Sequence, residues 1–296
     1  MAQATRRLGM IGIGNMGMPI ARSVARSGIG LYVHDRREAA LEEARGFGAS
    51  AVGSVTELAG LCNVISLVVV GDEDVRDVLT GEGGLLAALA PGAIVMIQST
   101  VLPQTVRDLA AAAGERGIRV LDAPVSGGPE RAAQGKLTLI CGGDATLVEE
   151  CRPLLESMGH VRHVGPVGAG QAMKLVNNMI VSGERALIFE AMQLGAAYGI
   201  SNEIAREVAL ESTAESWVMR NLPMLDDFYW HHPLAGDTEA LLNLMTKDIW
   251  YAVLAARAAG VHLPITAMIA SSVRGIHLAR RAQLTPTDLP RWAPKD

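Results

Sequence analysis

Aromatic residues, cysteines and excess basic charge are what this 296-residue sequence has least of. Phe, Trp and Tyr together make up 4% of it, so the core is expected to consist of Ala, Val, Leu, Ile and Met. The three cysteines, Cys62, Cys141 and Cys151, show no metal-ligand spacing and cannot form a disulfide framework, which favours a reducing compartment. A net charge of -5 argues against nucleic acid as a partner.

Long uncharged apolar runs are also lacking. A membrane-spanning helix needs about 20 such residues, and the most apolar stretch, residues 168–197, is interrupted by Lys174 and three further charged residues. Only residues 1–7 precede the first predicted strand, which is too few for a signal or transit peptide. The sequence therefore predicts a cytoplasmic protein with no membrane partner.

The first half alternates short apolar runs with helical patterns, which indicates a parallel sheet covered by helices on both faces. Strands are predicted at residues 8–11, 31–34, 64–70, 93–97, 119–122, 137–141 and 161–164. Helices are predicted at residues 17–27, 37–45, 54–60, 73–79, 104–116 and 145–157.

The second half is predicted to be helical, because the strand signal fades after the glycine-rich residues 165–170. Helices are predicted at residues 171–198, 202–212, 239–259 and 264–281, followed by a loop-like tail at 285–296. The expected organisation is an α/β domain with a doubly wound sheet at residues 1–167 and an all-α domain for substrate binding and dimerisation at residues 168–296. Since residues 168–197 are apolar around the whole helix, that helix is expected to be buried.

A glycine fingerprint of the form G-x-G-x-x-G lies between the first predicted strand and the first predicted helix. It consists of Gly12, Ile13, Gly14, Asn15, Met16 and Gly17. This context is typical of a Rossmann-type dinucleotide site, in which the glycines permit a tight turn, close approach of the pyrophosphate and helix–strand packing. The helix amino terminus would then bind the phosphates. The structural alternative is a β–α turn that binds nothing.

Asp35 ends the second predicted strand and favours NAD as the cofactor. A carboxylate at this point accepts hydrogen bonds from ribose hydroxyls and repels a 2′-phosphate. Arg36 and Arg37 follow directly. They could clamp that phosphate instead, which leaves NADP open, or they could simply begin a solvated helix.

Two further patterns indicate catalysis. Ser126, Gly127 and Gly128 follow a predicted strand, and their backbone N–H groups suit a substrate carboxylate unless they form a plain turn. Lys174 and Asn178 stand one helical turn apart among apolar neighbours. An ammonium group deprived of water has a lowered pKa and can exchange a proton near neutral pH. The alternative is a lysine whose stem reaches the surface.

These motifs, together with Lys247 and Asp248, occur in the order that resembles the β-hydroxyacid dehydrogenases, the family of 3-hydroxyisobutyrate dehydrogenase and tartronate semialdehyde reductase. The resemblance covers about residues 7–285 and extends to the related 6-phosphogluconate dehydrogenase-like architecture. It implies that Lys174 is the general acid/base, that Asn178 orients substrate and lysine, and that residues 126–128 hold the substrate carboxylate. It also implies cofactor contacts for four more residues, which are Val68, Val69, Thr100 and Lys247.

The sequence departs from the family pattern at a few loop positions. Gln98 stands where an aspartate is usual, and Val69 with Val70 stands where Leu-Pro is usual. Arg131 replaces a usual glycine and Lys136 a usual threonine. We expect these changes to alter loop shape and, through it, substrate choice.

Residues 228–233 concentrate aromatic side chains in a chain otherwise poor in them. We hypothesise that Trp230 and His231 help to choose the substrate, the alternative being a loop anchor packed between helices. The adjacent His231 and His232 have no further ligand at metal-binding spacing, so no metal is predicted.

The prediction is an NAD(P)-dependent oxidoreductase that moves a hydride between nicotinamide and a small 3-hydroxyacid or its semialdehyde. Its partners are then a small carboxylate substrate and further copies of the chain, as a homodimer or higher homo-oligomer. The alternatives are an imine reductase, which usually lacks a lysine at position 174, and a catalytically silent cofactor-binding module. A decarboxylating 6-phosphogluconate-type enzyme needs a larger helical domain than this chain offers.

Overall fold

The computed structural model describes residues 7–284. The predicted tail at 285–296 and the segment before residue 7 lie outside the described residues. The chain forms two compact units that divide between Lys174 and Leu175. No helix within the described range is long and apolar enough to cross a bilayer.

Over residues 7–174, the first unit is built on a sheet of nine strands. The strands are β1 (Arg7–Ile11), β2 (Gly30–His34), β3 (Ser50–Ala51), β4 (Val64–Leu67), β5 (Ile94–Ile97), β6 (Arg119–Asp122), β7 (Val125–Ser126), β8 (Leu137–Gly142) and β9 (Gly159–Gly165). The helices are α1 (Gly17–Arg26), α2 (Glu38–Arg45), α3 (Val55–Leu61), α4 (Asp72–Thr80), α5 (Leu85–Ala88), α6 (Pro103–Gly114), α7 (Gly128–Ala133) and α8 (Ala145–Glu156).

The strand order is β3-β2-β1-β4-β5-β6-β8-β7, with β9 paired to β8. The strands from β3 to β6 are parallel, as predicted for a Rossmann-type sheet. The sheet is not parallel throughout, because β8 runs antiparallel to both β6 and β7.

Both faces of the central strands are buried, as expected where helices cover both sides of a sheet. In β5, Ile94 and Met96 pack into the core on one face, while Val95 and Ile97 pack into the core on the other. This alternation explains the continuous apolar runs that mark the strands in the sequence.

The sequence did not predict β3, α5, β7 or α7, and the strand predicted at residues 64–70 ends at Leu67. Elements of two to six residues contain too little periodicity to be recognised. The two short strands form because neighbouring strands offer hydrogen bonds, β2 to Ser50 and Ala51 and β8 to Val125 and Ser126.

The second unit is helical, as predicted. The helix α9 (Ala169–Ala197) begins before the unit boundary and continues into this unit. The other helices are α10 (Asn202–Leu210), α11 (Trp217–Arg220), α12 (Leu222–His231), α13 (Thr238–Ala258) and α14 (Pro264–Gln283). Their core contains Phe189, Met192, Val218, Tyr229 and Leu241.

Two expectations about these helices were wrong. Residues 228–231 belong to α12 rather than to a loop, because Tyr229 is buried in the helical core although its neighbours have modest helix propensity. The helix α9 is not buried all round: Met173, Ile180, Leu187 and Leu194 are exposed in the single chain. An apolar pattern shows that a helix face needs covering, but it does not show that the same chain provides the cover.

The buried imidazole of His277 leads to a pH-dependent stability. The Tyr229 hydroxyl and His277 Nδ1 share a hydrogen bond. Burial, assisted by the charge of Arg185, lowers the pKa of His277 to about 2. The folded chain therefore keeps this ring neutral at a pH where the unfolded chain, with a histidine pKa of about 6.5, is protonated.

The contribution of His277 to stability is complete above about pH 6.5 and is lost as the pH falls towards the folded-state value. We expect the free energy of unfolding of the wild type to fall more steeply than that of His277→Gln between pH 6 and 5, by up to about 1.4 kcal/mol per pH unit. Urea unfolding at several pH values measures both slopes. Equal slopes would contradict the prediction.

Candidate active site

Three loops meet at the edge of the sheet where the parallel strands β1, β4 and β5 have their carboxyl ends. Val68 and Val69 follow β4, and Thr100 follows β5. The backbone N–H of Val68 donates to the carbonyl of Ile11 at 2.8 Å. That of Val69 donates to the hydroxyl of Ser99 at 2.8 Å. The structure thus brings the predicted cofactor loops together.

The fingerprint glycines have different spatial requirements. Gly12 has a φ of +87°, and a Cβ there would lie 2.4 Å from the carbonyl oxygen of Val68. A Cβ on Gly17 would lie 2.1 Å from the carbonyl oxygen of Gly12. A Cβ on Gly14 would meet only the Arg37 guanidinium, at 3.8 Å. The first and third glycines are therefore needed for packing, and the second faces open space.

The start of α1 fits the pyrophosphate of a dinucleotide. Met16 precedes the helix and makes no side-chain capping hydrogen bond to it. The first N–H groups of a helix and its positive dipole end favour anions. A Cβ on Gly14, three residues before this helix, would meet only the Arg37 guanidinium within 4 Å, so the turn that also contains Ile13 and Asn15 leaves room for the predicted phosphate contact.

Asp35 is held against the fingerprint. Its Oδ2 accepts a hydrogen bond from the backbone N–H of Ile13 at 2.9 Å, and its Oδ1 accepts one from the backbone N–H of Arg37 at 2.9 Å. Burial raises the pKa of Asp35, but the hydrogen bonds from Arg37 and Ile13 outweigh it and hold the pKa below its usual value of 3.8. The side chain is therefore an anion at neutral pH, as contact with ribose hydroxyls requires.

The two arginines after Asp35 differ in their surroundings. Arg37 lies over Asp35, with Nε 3.1 Å from Oδ1, and Nη2 donates to the carbonyl of Ile13 at 3.2 Å. Arg36 is exposed and pairs with Asp77 at 3.1 Å. Exposed ion pairs contribute little free energy, so Arg36 is the one that can be released at little cost.

Ser126, Gly127 and Gly128 do not form a plain turn. Ser126 pairs with Thr138 in the sheet, and α7 begins at Gly128. Gly127 and Gly128 both have positive φ values, +133° and +76°. The side chain of Arg131, one of the departures from the family pattern, lies against Gly127. A Cβ on Gly127 would be 3.1 Å from it. The predicted carboxylate contact would therefore use backbone N–H groups that lie between a strand end and a helix start.

The first turn of α9 is anchored to the sheet by two residues to which the sequence analysis gave no role. Asp122, the buried last residue of β6, accepts hydrogen bonds from the backbone N–H groups of Gly168 at 2.8 Å and Gln171 at 2.7 Å. Burial raises the pKa of Asp122 to about 6, although these N–H groups oppose the shift. The only sequence signal for this anchor was Gln171, a polar residue at the start of an otherwise apolar helix.

Lys174 lies one turn further along α9 and is 9% exposed. So small an exposed fraction of the residue argues against the alternative, a stem that runs along the surface. Lys174 and the fingerprint belong to the same compact unit.

In the helical unit, the carboxylate of Asp248 connects two predicted site residues. Its Oδ2 accepts a hydrogen bond from Nδ2 of Asn178 at 2.6 Å, and its Oδ1 accepts one from Nζ of Lys247 at 2.6 Å. The ammonium of Lys247 also lies 5.3 Å from the ring centre of Tyr251. Asp248 therefore fixes the amide orientation of Asn178 and the position of Lys247, a function that the sequence analysis did not assign.

Trp230 lies on α12, where its ring packs against the helical core and the Arg281 guanidinium lies 5.0 Å from the ring centre. His231 pairs with Asp227 at 2.5 Å. These contacts fit an anchoring role as well as a role in substrate choice. Within residues 7–284, no group of three or more His, Cys, Asp or Glu side chains is arranged to hold a metal ion.

Comparison with known proteins identifies the family. Residues 7–168 match the family described as the NAD binding domain of 6-phosphogluconate dehydrogenase, and residues 168–289 match that described as the NAD-binding region of NADP-dependent 3-hydroxyisobutyrate dehydrogenase. The NAD-dependent L-serine dehydrogenase of Pseudomonas aeruginosa is 35% identical over 272 residues, which cover 91% of each chain.

Solved structures agree with this match. The 3-hydroxyisobutyrate dehydrogenase of Mycobacterium tuberculosis, solved with L-serine, is 29% identical with a TM-score of 0.80 and covers 95% of this chain and 96% of its own. An imine reductase from Bacillus cereus covers 96% of this chain and 97% of its own with a TM-score of 0.63, but at 19% identity it shares the fold alone. The chain therefore belongs to the β-hydroxyacid dehydrogenase family and is an NAD(P)-dependent oxidoreductase that acts on a CH–OH group.

Proposed function

We propose that this enzyme interconverts a small 3-hydroxyacid and its semialdehyde, with Lys174 as the general acid/base. The observation that carries the proposal is the burial of the Lys174 side chain, one turn beyond a helix start that is anchored at the carboxyl edge of the sheet. Lys174 takes the proton of the substrate hydroxyl in oxidation and returns it to the carbonyl oxygen in reduction. The bound nicotinamide accepts or supplies the hydride.

The other site residues bind and orient. In this proposal the fingerprint and the start of α1 hold the pyrophosphate, and Asp35 holds the ribose. The cofactor contacts on the remaining loops are proposed for Val68, Val69, Thr100 and Lys247. We propose residues 1–167 as the dinucleotide-binding domain and residues 168–296 as the substrate and dimerisation domain. The two family matches, which meet at residue 168, support this division, whereas the compact units divide later, between Lys174 and Leu175.

The substrate carboxylate is proposed to lie on the N–H groups of Ser126, Gly127 and Gly128, with Asn178 orienting the reacting end. Two relatives point to a small substrate: one is named as an L-serine dehydrogenase, and the other was solved with L-serine. We therefore propose 3-hydroxyacids of the size of serine or 3-hydroxyisobutyrate. Trp230 remains a proposed contact for substrate choice.

Replacing the amine tests the proton transfer. We expect Lys174→Ala to lower kcat by at least about 100-fold, since a positioned acid/base contributes at least that much. NADH binding, measured by fluorescence titration, should be retained. Steady-state turnover of a panel of 3-hydroxyacids and semialdehydes provides the readout.

The matched control for Lys174→Ala is Arg162→Ala, which removes an exposed cationic side chain from the same compact unit. It should leave kcat unchanged. Added small primary amines should restore part of the turnover of Lys174→Ala only. Undiminished turnover in Lys174→Ala would reject the proposal.

The cofactor preference is proposed to be NAD, because the Asp35 carboxylate repels a 2′-phosphate. Asp35→Asn keeps an acceptor for the Ile13 N–H and removes the charge. We expect the ratio of kcat/KM for NAD to that for NADP to fall by about tenfold. Adding Arg36→Ala to Asp35→Asn should cancel the rise in kcat/KM for NADP. Arg36 is the arginine that can leave its exposed partner, Asp77, to bind the 2′-phosphate. An unchanged ratio in Asp35→Asn would show that Asp35 does not select the cofactor.

We propose that a second copy of the chain covers α9 through a two-fold contact. Met173, Ile180, Leu187 and Leu194 recur at intervals of seven residues and so share one face of the helix. An exposed apolar stripe of this length is unusual in a monomer and typical of an obligate interface.

Introducing a charge into this apolar stripe tests whether it forms the oligomer interface. Leu187, which is 68% exposed, should be replaced by glutamate, and Val164→Glu on the first unit should serve as the control, since Val164 is also an exposed apolar residue. Light scattering should show a dimer or higher oligomer for the wild type and the control, and dissociation for Leu187→Glu. A wild type that is monomeric at micromolar concentration would exclude the proposed interface.

A cytoplasmic location is also proposed. Cys62, Cys141 and Cys151 are buried and form no disulfide. Burial raises the pKa of Cys62 to about 11 and that of Cys141 to about 12, so these thiols are inert and suit a reducing compartment.

A further inference from the structure

The helix α9 receives its amino-terminal cap from another element. The residue before its first turn is Gly168, which has no side chain to offer. The carboxylate of Asp122 at the end of β6 takes that place, with Oδ1 bound to the N–H of Gly168 and Oδ2 bound to the N–H of Gln171. A side chain that caps a helix from within it fixes only the local chain, whereas this one fixes the helix to the sheet.

The contact tolerates no extra atoms. A Cβ on Gly142 would lie 2.6 Å from Oδ1 of Asp122 and 2.6 Å from the N atom of Gly170. A Cβ on Gly170 would lie 2.3 Å from the carbonyl oxygen of Ile140 and 2.7 Å from Oδ2 of Asp122. Both positions need glycine, so the start of α9 lies directly on the ends of β6 and β8.

Gln171 extends this attachment to the loop after β5. Its Nε2 donates to the carbonyl of Ser99 at 2.8 Å, and its Oε1 accepts from the N–H of Val101 at 3.1 Å. These backbone groups stand on either side of Thr100. Gln171 is fully buried, and its amide satisfies both groups in the way that a neighbouring strand would.

We infer that Asp122 and Gln171 are positioning residues that hold the Lys174 amine in register with the loop of Thr100. The inference rests on the proposed role of Lys174. Lys174 follows Gln171 by three residues and lies on the same side of the helix. Any rotation or slip of the first turn of α9 therefore displaces the amine by a similar amount.

Capping a helix with a buried carboxylate costs the free energy of removing its charge from water. Burial raises the pKa of Asp122 to about 6, so at neutral pH the charged form persists against the loss of its hydration. Two strong charge-assisted hydrogen bonds with fixed direction are what this arrangement provides. Precise orientation is the property that a proton-transfer site needs most.

A double-mutant cycle separates positioning from general structural support. Asp122→Asn keeps the shape of the side chain but cannot accept hydrogen bonds at both ends. It should lower kcat by about 100-fold in the presence of Lys174, the effect expected for a displacement of about 1 Å. In the Lys174→Ala background it should lower the residual kcat by less than about threefold, since no amine remains to be placed.

The dissociation constant for NADH should stay within about threefold in all four proteins, because the fingerprint is untouched. The matched control is Asp144→Asn. Asp144 is the local cap of α8, through the N–H groups of Thr146 and Leu147, so its replacement removes a capping carboxylate from a helix without site residues. It should leave kcat unchanged in both backgrounds. Gln171→Leu provides a second cycle if Asp122→Asn is poorly folded.

Equal losses of kcat in both backgrounds would overturn the inference and leave the proposed function standing, because they would show a purely structural effect. Unchanged kcat in Asp122→Asn and Gln171→Leu would overturn it as well. Full activity of Lys174→Ala is a different result, which rejects the proposed function together with the inference.

Discussion

The hydrogen bonds between the carboxylate of Asp122 and the first turn of α9 join the sheet to the helix that contains Lys174. Their geometry depends on glycine at positions 142 and 170, where a side chain would collide with the carboxylate or the backbone. The same turn reaches the loop of Thr100 through Gln171. One buried contact thus determines where the helix begins and which way its side chains face.

Carboxylates organise the polar parts of both compact units. Asp35 is the acceptor for the fingerprint turn, Asp122 for the start of α9, and Asp248 for Asn178 and Lys247. Each accepts at both of its oxygens, so each defines the distance between two donors. A carboxylate is suited to this because it offers two acceptor atoms in a rigid plane.

Much of the fold was predictable from residue pattern. The central strands contain uninterrupted apolar residues because helices cover both faces, and the glycine fingerprint marks the turn after β1. The strand β8 was predicted, but its antiparallel direction was not, and neither were the two-residue strands or the helix α12, because partners distant in sequence stabilise them. Among the site residues, Asp122 and Gln171 had no recognisable pattern, since each is defined by the backbone atoms that it meets.

The sequence by itself determined the class of fold, the position of the dinucleotide fingerprint and the lysine in the apolar helix, because these depend on periodicity and on glycine spacing within short segments. Only the tertiary structure decided that α9 leaves an apolar face uncovered in the single chain, that Arg37 rather than Arg36 lies over Asp35, and that Asp248 connects Asn178 with Lys247. The physical reason is that burial, ion-pair choice and hydrogen-bond direction arise between segments far apart in the chain, and no local pattern records them.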